Sequence, residues 1–252
     1  MPATLNPSRF TLSDATPARC LVIVPAYNES GAIASVVTGL HEHLPQVDIV
    51  VIDDGSIDRT HQHVPDFATV IRLPFNLGIG AAMQTGYKYA DHYNYDVAIQ
   101  VDGDGQHPPS EVARLIDYLL ENDCDLVVGS RFKENINYQQ PPLRMLAIQL
   151  LRSWINLLTG QRFTDCTSGF RVANRQVIDC YAHWYPSDYP EPEVLVLLTN
   201  EKMRIEEIQV HMEQRSTGQT SIPFFRGIFY VIKVITAVLL DKMRDPWPHR
   251  KH

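Results

Sequence analysis

The 252-residue chain carries a formal net charge of -7 and is 44% hydrophobic. A chain of this length and composition can bury a full core, and it suits one large domain or one domain with an appendage. The negative charge argues against broad nucleic-acid binding, because neutralising phosphates needs clustered Lys and Arg. The four cysteines form no CxxC pair, which indicates buried thiols in a reducing compartment.

The chain begins with a polar stretch and then alternates strand and helix patterns. Residues 1–18 lack an apolar signal core and are rich in Pro, Ser and Thr, so we expect a flexible cytoplasmic lead-in. Beyond it, continuous apolar runs separated by helical segments predict a doubly wound, mostly parallel α/β sheet. The predicted strands are CLVIVPA, DIVVIDD, TVIRLP, DVAIQVD and DLVVGSR, followed later by TSGFRVAN and IEEIQVHME.

Two carboxylates, Asp102 and Asp104, follow the fourth predicted strand in QVDGDGQHPP. In such sheets ligands bind beyond the carboxyl ends of the strands, where strands one and four are neighbours. In an extended chain the two side chains would point the same way, and their mutual repulsion favours a bound divalent cation. Gln106 could add an oxygen ligand. A plain Asp-Gly turn is the alternative, and a calcium loop is disfavoured because the third acid and the terminal Glu are missing.

The first two strand ends, VPAYNES and IDDGSIDRT, predict a nucleotide pocket on the same edge of the sheet. Tyr27 can stack on a base, and an acid of the Asp53/Asp54 pair can accept hydrogen bonds from a base or ribose. Helix capping by Ser56 or Asp58 is compatible with this reading. The predicted nucleotide-binding residues are Pro25, Tyr27, Glu29, Asp53, Asp54, Asn76, Gly80 and Asp102.

The segment FNLGIGAAMQTGYKYA opens a helix after the third predicted strand. Met83 stands where a dinucleotide-binding motif needs its third glycine, which argues against a dehydrogenase. Gly78 and Gly80 instead suit a tight turn beside a bound diphosphate, with Asn76 supplying an amide; a simple turn is the alternative.

Seven stretches in order resemble glycosyltransferase family 2, especially the branch that contains dolichol-phosphate mannose synthase. They are VPAYNE, DDGSIDRT, FNLGIGAAMQTGY, QVDGDGQHPP, VVGSRF, DCTSGFR and QRSTGQTSI, and they span roughly residues 20–222. The resemblance implies a GT-A fold, a UDP- or GDP-sugar donor, and Mg²⁺ or Mn²⁺ at Asp102, Asp104 and Gln106. It further implies that Arg215 meets the diphosphate, and that Arg131 and Arg144 meet an acceptor phosphate.

The resemblance also implies the domain organisation and the chemistry. Residues 19–221 would form the GT-A domain, with a nucleotide-sugar-binding half over 19–131 and an acceptor half over 132–221. The catalytic residues would be Asp102, Asp104, Arg131 and Arg215. Because a diphosphate leaves while the acceptor attacks from the opposite face, the transfer would invert the anomeric carbon.

Two acceptor classes stay open. A polyprenyl phosphate is already anionic, needs no general base, and would be held by Arg131 and Arg144. A hydroxyl of a lipid-linked or cell-envelope glycan needs a carboxylate base, for which Glu191, Glu193 and Asp165 are the candidates. The alternative from another class is an inactive nucleotide-binding regulatory or scaffold subunit, which donor hydrolysis would exclude.

Two segments predict membrane association. The C-terminal stretch over 222–252 is an apolar helix pattern that gathers most of its polar residues in one stripe, and Arg226 and Lys233 disfavour spanning. The segment LRMLAIQLLRSWINLLTG repeats this amphipathic pattern. We expect a cytoplasmic protein that is peripheral at the inner membrane face and contacts lipid or a small membrane partner. Ordinary core packing of both helices is the alternative.

Overall fold

The computed structural model describes residues 10–12, 17–134, 142–187, 190–213 and 235–236, and the side chains of 142–144 fall outside that description. Within these ranges a single sheet contains every strand. The strands are β1 (Cys20–Ala26), β2 (Asp48–Asp53), β3 (Thr69–Arg72), β4 (Val97–Gln100), β5 (Leu126–Ser130), β6 (Arg171–Asn174) and β7 (Ile205–Gln209). All seven lie where the sequence predicts them.

The connections between the strands are mostly helical. The helices are α1 (Ile33–His43), α2 (Ile79–His92), α3 (Pro109–Glu121), α4 (Pro142–Thr159), α5 (Arg175–His183) and α6 (Pro190–Asn200), with a short 3-10 turn at Thr60–Gln62. Local signals explain several starts. Pro109 opens α3 with its φ already set for a helix, and the Asn174 side chain caps α5 by accepting from the Val177 amide at 3.1 Å.

The strands lie in the order β3-β2-β1-β4-β6-β5-β7. The pairs β1–β2, β1–β4, β2–β3 and β5–β7 are parallel. The predicted neighbourhood of β1 and β4 is confirmed, as is the mostly parallel sheet. One strand differs, because β6 runs antiparallel to both β4 and β5. It therefore starts at the edge where its neighbours end.

A hydrophobic cluster covers each face of the sheet. One contains residues of α2, α4, α5 and α6, and the other contains residues of α1 and α3. Every residue of β1 is buried, as its uninterrupted apolar sequence requires. Each large apolar side chain buried in this way contributes about 1.5–3 kcal/mol relative to exposure. The strand ends that carry the candidate site are thus supported by a packed core on both faces of the sheet.

The segment before β1 is partly joined to the domain. Phe10 is buried in the cluster with α1 and α3, and its carbonyl accepts from the Ala18 amide at 3.0 Å. Phe10 and Ala18 of the predicted flexible lead-in therefore pack against the core, whereas Thr11 and Pro17 are exposed. None of the helices in the described ranges is both long enough and apolar enough to cross a membrane. The predicted C-terminal helix lies outside the described residues, apart from 235–236.

Candidate active site

Parallel strands bring the predicted motifs to the same end of the sheet. We call this end, where β1, β2, β4 and β5 finish, the rim. Ala26 at the end of β1 pairs with Asp53 at the end of β2, and Ile23 pairs with Gln100 at the end of β4. On the other side, Arg171 at the start of β6 pairs with Val128 of β5. The loops after β1, β2, β4 and β5 therefore meet the segment that leads into β6.

The Asp102–Asp104 loop turns sharply once β4 has ended at Gln100. The extended conformation expected for it is wrong, because the chain turns through residues 103–105 and Gly105 has a φ of +81°. The two carboxylates consequently differ in exposure. The Asp102 side chain is 40% exposed, whereas Asp104 is 4% exposed and accepts from the Gln106 amide at 3.0 Å.

His107 and Gln100 hold Asp102 in position. The Asp102 amide donates to His107 Nδ1 at 3.1 Å, and Gln100 Nε2 donates to Asp102 Oδ1 at 3.1 Å. The His107 ring stacks on Phe170 with centroids 4.3 Å apart. Burial lowers the pKa of His107, and the charges of Asp102 and Asp104 only partly oppose this. A neutral ring that accepts at Nδ1 fits this arrangement. His107 was not predicted from the sequence.

The side chains of this loop fit a divalent cation that is coordinated both by carboxylates and by a diphosphate. Mg²⁺ is commonly held by one or two carboxylates together with substrate phosphates and waters. Asp102 and Asp104 match that need. In the described ranges no group of three or more His, Cys, Asp and Glu side chains forms a complete metal cage. The predicted third ligand, Gln106, directs its side-chain nitrogen to the Glu213 carbonyl at 3.4 Å.

A cleft of about 650 Å³ opens on the rim, between the segments that follow β1, β2 and β3. Its lining includes two of the predicted nucleotide-binding residues, Tyr27 and Asn76. The full lining is Tyr27, Gly55, Ser56, Ile57, Arg59, His61, Gln62, Arg72, Pro74, Phe75 and Asn76. The cleft is rich in hydrogen-bond donors and contains two arginines, which suits a base with several acceptor atoms.

The acids of the DDGS motif lie beneath the cleft rather than on its wall. Asp53 is fully buried; it accepts from the Ser56 amide at 2.9 Å, and its other oxygen is 3.2 Å from His61 Nδ1 and 3.4 Å from Arg72 Nε. Asp54 accepts from the amides of Leu77 at 2.8 Å and Gly78 at 2.9 Å. Both acids thus shape the loops that carry the cleft.

The remaining predicted nucleotide residues have structural contacts at the rim. Pro25 is buried at the end of β1, and the half-buried Glu29 donates its amide to Thr60 Oγ1 at 2.9 Å. Gly80 is buried against backbone, since a Cβ there would lie 2.1 Å from the Pro186 carbonyl oxygen. Gly80 therefore allows α2 to approach the segment before α6, and it does not face the cleft.

Arg131 forms a buried ion pair with Asp165. Its Nε and Nη2 donate to the two carboxylate oxygens at 2.7 and 2.8 Å, and Nη2 also donates to Thr167 Oγ1 at 2.7 Å. Burial by itself would raise the pKa of Asp165, but the hydrogen bonds and charge of Arg131 outweigh it and hold that pKa below its ordinary value. A carboxylate with a lowered pKa binds a proton weakly, so Asp165 is a poor general base.

Glu207 of β7 anchors the segment that carries Asp165. Its carboxylate accepts from the Thr164 amide at 2.7 Å, from the Thr164 hydroxyl at 2.8 Å and from the Asp165 amide at 3.0 Å. The ion pair with Arg131 is therefore fixed from behind. Glu207 was not predicted from the sequence, because nothing local in IEEIQ distinguishes the buried Glu207 from the half-buried Glu206.

The first turn of α6 brings Glu191 to the rim. Burial raises the pKa of Glu191, while the positive charges of Arg171 and Arg131 act against this and Asp102 adds to it. Glu191 is therefore within electrostatic range of these three residues. Glu193 lies two residues further along and is buried. Of the two remaining predicted residues, the side chain of Arg144 and the whole of Arg215 lie outside the described residues.

Comparisons with known proteins agree with this arrangement. Residues 21–182 match the family model of glycosyl transferase family 2. The chain is 32% identical over 186 residues to a polyprenol monophosphomannose synthase of Mycolicibacterium smegmatis, which covers 71% of this chain and 66% of that protein. It is 29% identical over 245 residues to a UDP-N-acetylglucosamine–dolichyl-phosphate N-acetylglucosaminyltransferase of Methanococcus voltae, covering 88% and 95%.

Solved structures share the fold. Glucosyl-3-phosphoglycerate synthase of Mycobacterium tuberculosis, in complex with Mn²⁺, UDP and glucosyl-3-phosphoglycerate, superposes with a TM-score of 0.69 at 20% identity, covering 90% of this chain and 81% of that one. The complex of that enzyme with Mn²⁺ and UDP-glucose gives a TM-score of 0.69 at 21% identity, with 90% and 80% covered. The GT-A fold predicted from the sequence is confirmed.

Proposed function

The chain belongs to glycosyl transferase family 2, and on that basis we propose that it transfers a sugar from a nucleotide-sugar donor to a polyprenyl phosphate. It is a glycosyltransferase. One observation carries the finer proposal: the cleft, the Asp102–Asp104 loop and Arg131 lie along one rim. A donor bound in the cleft and an acceptor bound at Arg131 would therefore lie on either side of Asp102. Transfer to a glycan hydroxyl is the second acceptor class that the sequence leaves open.

The cleft favours uridine over guanosine in the donor. Guanine presents N–H donors on its base-pairing edge, for which a carboxylate is the strongest acceptor, whereas uracil presents two carbonyl acceptors and one N–H. The lining includes Arg59 and Arg72 among its donors, and none of the described lining residues is an Asp or Glu. Tyr27 supplies an aromatic ring at the mouth, on which a pyrimidine can stack.

Asp102 and Asp104 would hold a divalent cation against the donor diphosphate, with Gln106 as a further predicted ligand. Such a cation neutralises the charge that grows on the leaving diphosphate. The protein prepares for it by fixing the loop, because His107 and Gln100 both bind Asp102. Arg215, on a segment outside the described residues, remains a predicted diphosphate ligand.

An anionic acceptor explains why the site needs no free base beside Arg131. Asp165 is committed to Arg131 as its counter-ion, so it is unsuited to removing a proton from a hydroxyl. A polyprenyl phosphate has no proton to lose, and the guanidinium of Arg131 can orient it. A glycan hydroxyl would instead depend on Glu191 as its base.

Peripheral membrane binding completes the proposal, because the acceptor is a lipid. Leu146, Leu150 and Leu157 of α4 are exposed, although leucines are normally buried. An exposed row of this kind suits a helix that lies in the headgroup region. The predicted C-terminal helix over 222–252 would add apolar area, either against lipid or against a small membrane protein at the inner face.

The test is a transfer assay with radiolabelled nucleotide sugars in the presence of Mn²⁺, with and without polyprenyl phosphate. We expect lipid-extractable label from a UDP-sugar that depends on the prenyl phosphate, and at least tenfold tighter calorimetric binding of UDP than of GDP. Label that appears only on added glycans would support the second acceptor class. Binding of no nucleotide would contradict the proposed function itself.

Gly169→Ala is expected to weaken metal-dependent nucleotide binding without unfolding the protein. A Cβ at this position would lie 2.7 Å from Gln100 Nε2, so the Gln100 amide must shift, which disturbs its hydrogen bond to Asp102. Since a hydrogen bond to a charged group is worth about 1.5 kcal/mol, we expect the Mn²⁺ concentration for half-maximal UDP binding to rise about tenfold. Gly31→Ala is the matched control, because nothing lies within 4 Å of a Cβ there. Equal behaviour of the two variants would show that Gln100 does not support the loop.

A further inference from the structure

Arg171 is a buried cation with unused hydrogen-bonding capacity. It is the first residue of β6 and is 3% exposed. Its Nε donates to the Ser168 carbonyl at 2.7 Å and its Nη2 reaches the Cys166 carbonyl at 3.5 Å, whereas its buried Nη1 has no hydrogen-bond partner. No ion pair within 4.0 Å joins it to a carboxylate of the described residues. A buried guanidinium nitrogen without a hydrogen-bond partner destabilises the folded protein. A bound ligand that accepts a hydrogen bond from Nη1 would remove this cost.

A second unsatisfied group lies near Arg171. The hydroxyl of Tyr181 on α5 is buried and also has no hydrogen-bond partner. Burial raises the pKa of Tyr181 well above its ordinary value, and the positive charge of Arg171 acts against this. Its ring packs against those of Tyr87 and Tyr185, with centroids 4.8 and 4.9 Å away, so the hydroxyl cannot easily turn to another partner.

Arg171 lies between the two ends of the proposed reaction, because it bonds to the carbonyls of Cys166 and Ser168. The hydroxyl of the intervening Thr167 binds Arg131, and a Cβ at the adjacent Gly169 would lie 3.6 Å from Asp102 Oδ1. The charges of Arg171, Asp102 and Arg131 all act on the pKa of Glu191, so Glu191 lies within electrostatic range of each of them. Asp102 marks the diphosphate end and Arg131 marks the acceptor end. The transferred sugar is bonded to the diphosphate and faces the acceptor, so it must occupy the region between them.

Because the site contains both a carboxylate and a guanidinium, it favours a sugar hydroxyl over a second phosphate as its ligand. A phosphate only accepts hydrogen bonds, and the carboxylate of Glu191 would repel it. A hydroxyl both donates and accepts, so it can bond to a carboxylate and a guanidinium together. Resting on the proposed function, we propose that Arg171, Glu191 and the Tyr181 hydroxyl bind the hydroxyl groups of the transferred sugar and discriminate between donor sugars.

Calorimetry separates sugar binding from nucleotide binding. With Mn²⁺ present, Arg171→Gln should weaken binding of UDP-glucose or UDP-N-acetylglucosamine, whichever the wild type transfers, about tenfold, which is about 1.4 kcal/mol. The Kd of UDP should stay within about twofold, because UDP lacks the group that Arg171 contacts. Arg171→Lys should fall between, since it keeps the charge and loses the planar fork.

Glu191→Gln is the second variant and guards against misfolding of the first, since Glu191 is only half-buried. It should reproduce the loss for the nucleotide sugar and the unchanged Kd for UDP. Arg175→Gln is the matched control: Arg175 begins α5 beyond the far end of β6 and pairs with Asp91. It should change neither Kd.

Three results would overturn the inference. They are equal losses for UDP and nucleotide sugar, no loss for either, and a raised KM for prenyl phosphate with both Kd values intact; the last would assign Arg171 to the acceptor. A wild type that binds no nucleotide would instead contradict the proposed function, so the two failures are distinguishable.

Discussion

Asp102→Asn is expected to reduce sugar transfer by about 10³-fold or more while the protein stays folded, a loss that corresponds to about 4 kcal/mol of transition-state stabilisation. The substitution keeps the size of the side chain and removes the charge that a hard cation requires. Because the side chain is 40% exposed, its replacement leaves no cavity in the core. Asp104→Asn should have a similar effect on transfer. Turnover with saturating donor and Mn²⁺, together with thermal melting, measures both parts.

Asp123→Asn is the control for charge removal, since Asp123 is fully exposed and lies 3.7 Å from Arg204. It should leave transfer unchanged. Calorimetric titration of UDP with and without Mn²⁺ adds an independent measurement, in which the Asp102 and Asp104 variants should lose the metal-dependent part of the affinity. Transfer that needs no divalent cation and survives both substitutions would exclude a metal at this loop.

Asp165→Asn is expected to lower the free energy of unfolding by about 3–5 kcal/mol, the usual result of removing one partner from a buried ion pair. The change leaves the guanidinium of Arg131 buried without its counter-ion, and weakens the bonds to Thr167. Urea unfolding measures the difference. Glu206→Gln removes a half-buried partner of the exposed Arg204 and should cost about 1 kcal/mol or less. Similar values for the two variants would contradict the ion-pair interpretation.

The pH dependence of this stabilisation has a definite sign. Because the pKa of Asp165 in the folded protein lies below its ordinary value, the carboxylate stabilises the fold above the ordinary value. That contribution is lost as pH falls through the lowered pKa. The stability difference between wild type and Asp165→Asn should therefore be constant near neutral pH and narrow only below about pH 4.

Local sequence patterns predicted the strands well, because each is a short apolar run bounded by polar residues. The parallel arrangement around β1 followed from the same patterns. The reversal of β6 did not, since TSGFRVAN has no local feature that sets its direction. The antiparallel pairing depends on where the chain re-enters the sheet after α4, and this is a property of the whole fold.

The candidate site was predictable only where a motif follows a strand. Asp102, Asp104 and Tyr27 were found in this way. The roles of Asp53 and Asp54 were harder to predict, because a buried acid that accepts from backbone amides looks the same in sequence as one that faces a ligand. His107 and Arg171 were missed, since their partners are distant in sequence or lacking in the described residues. A charged residue at the first position of a buried strand was the available signal for Arg171.

The antiparallel direction of β6 keeps the segment between β5 and β6 apart in sequence from the Asp102 loop. The chain leaves the rim after β5, forms α4, and returns to the rim at Thr164, where Glu207 fixes it. The exposed residues of that detour, such as Leu146, Leu150 and Leu157, can change without displacing β4 or its carboxylates. Leu151 and Ile155 must stay apolar, because they belong to the hydrophobic cluster that also contains Ala98 of β4. Under the proposed function, exchange of the exposed residues of α4 between related chains would therefore be expected to change the lipid acceptor and to leave the donor unchanged.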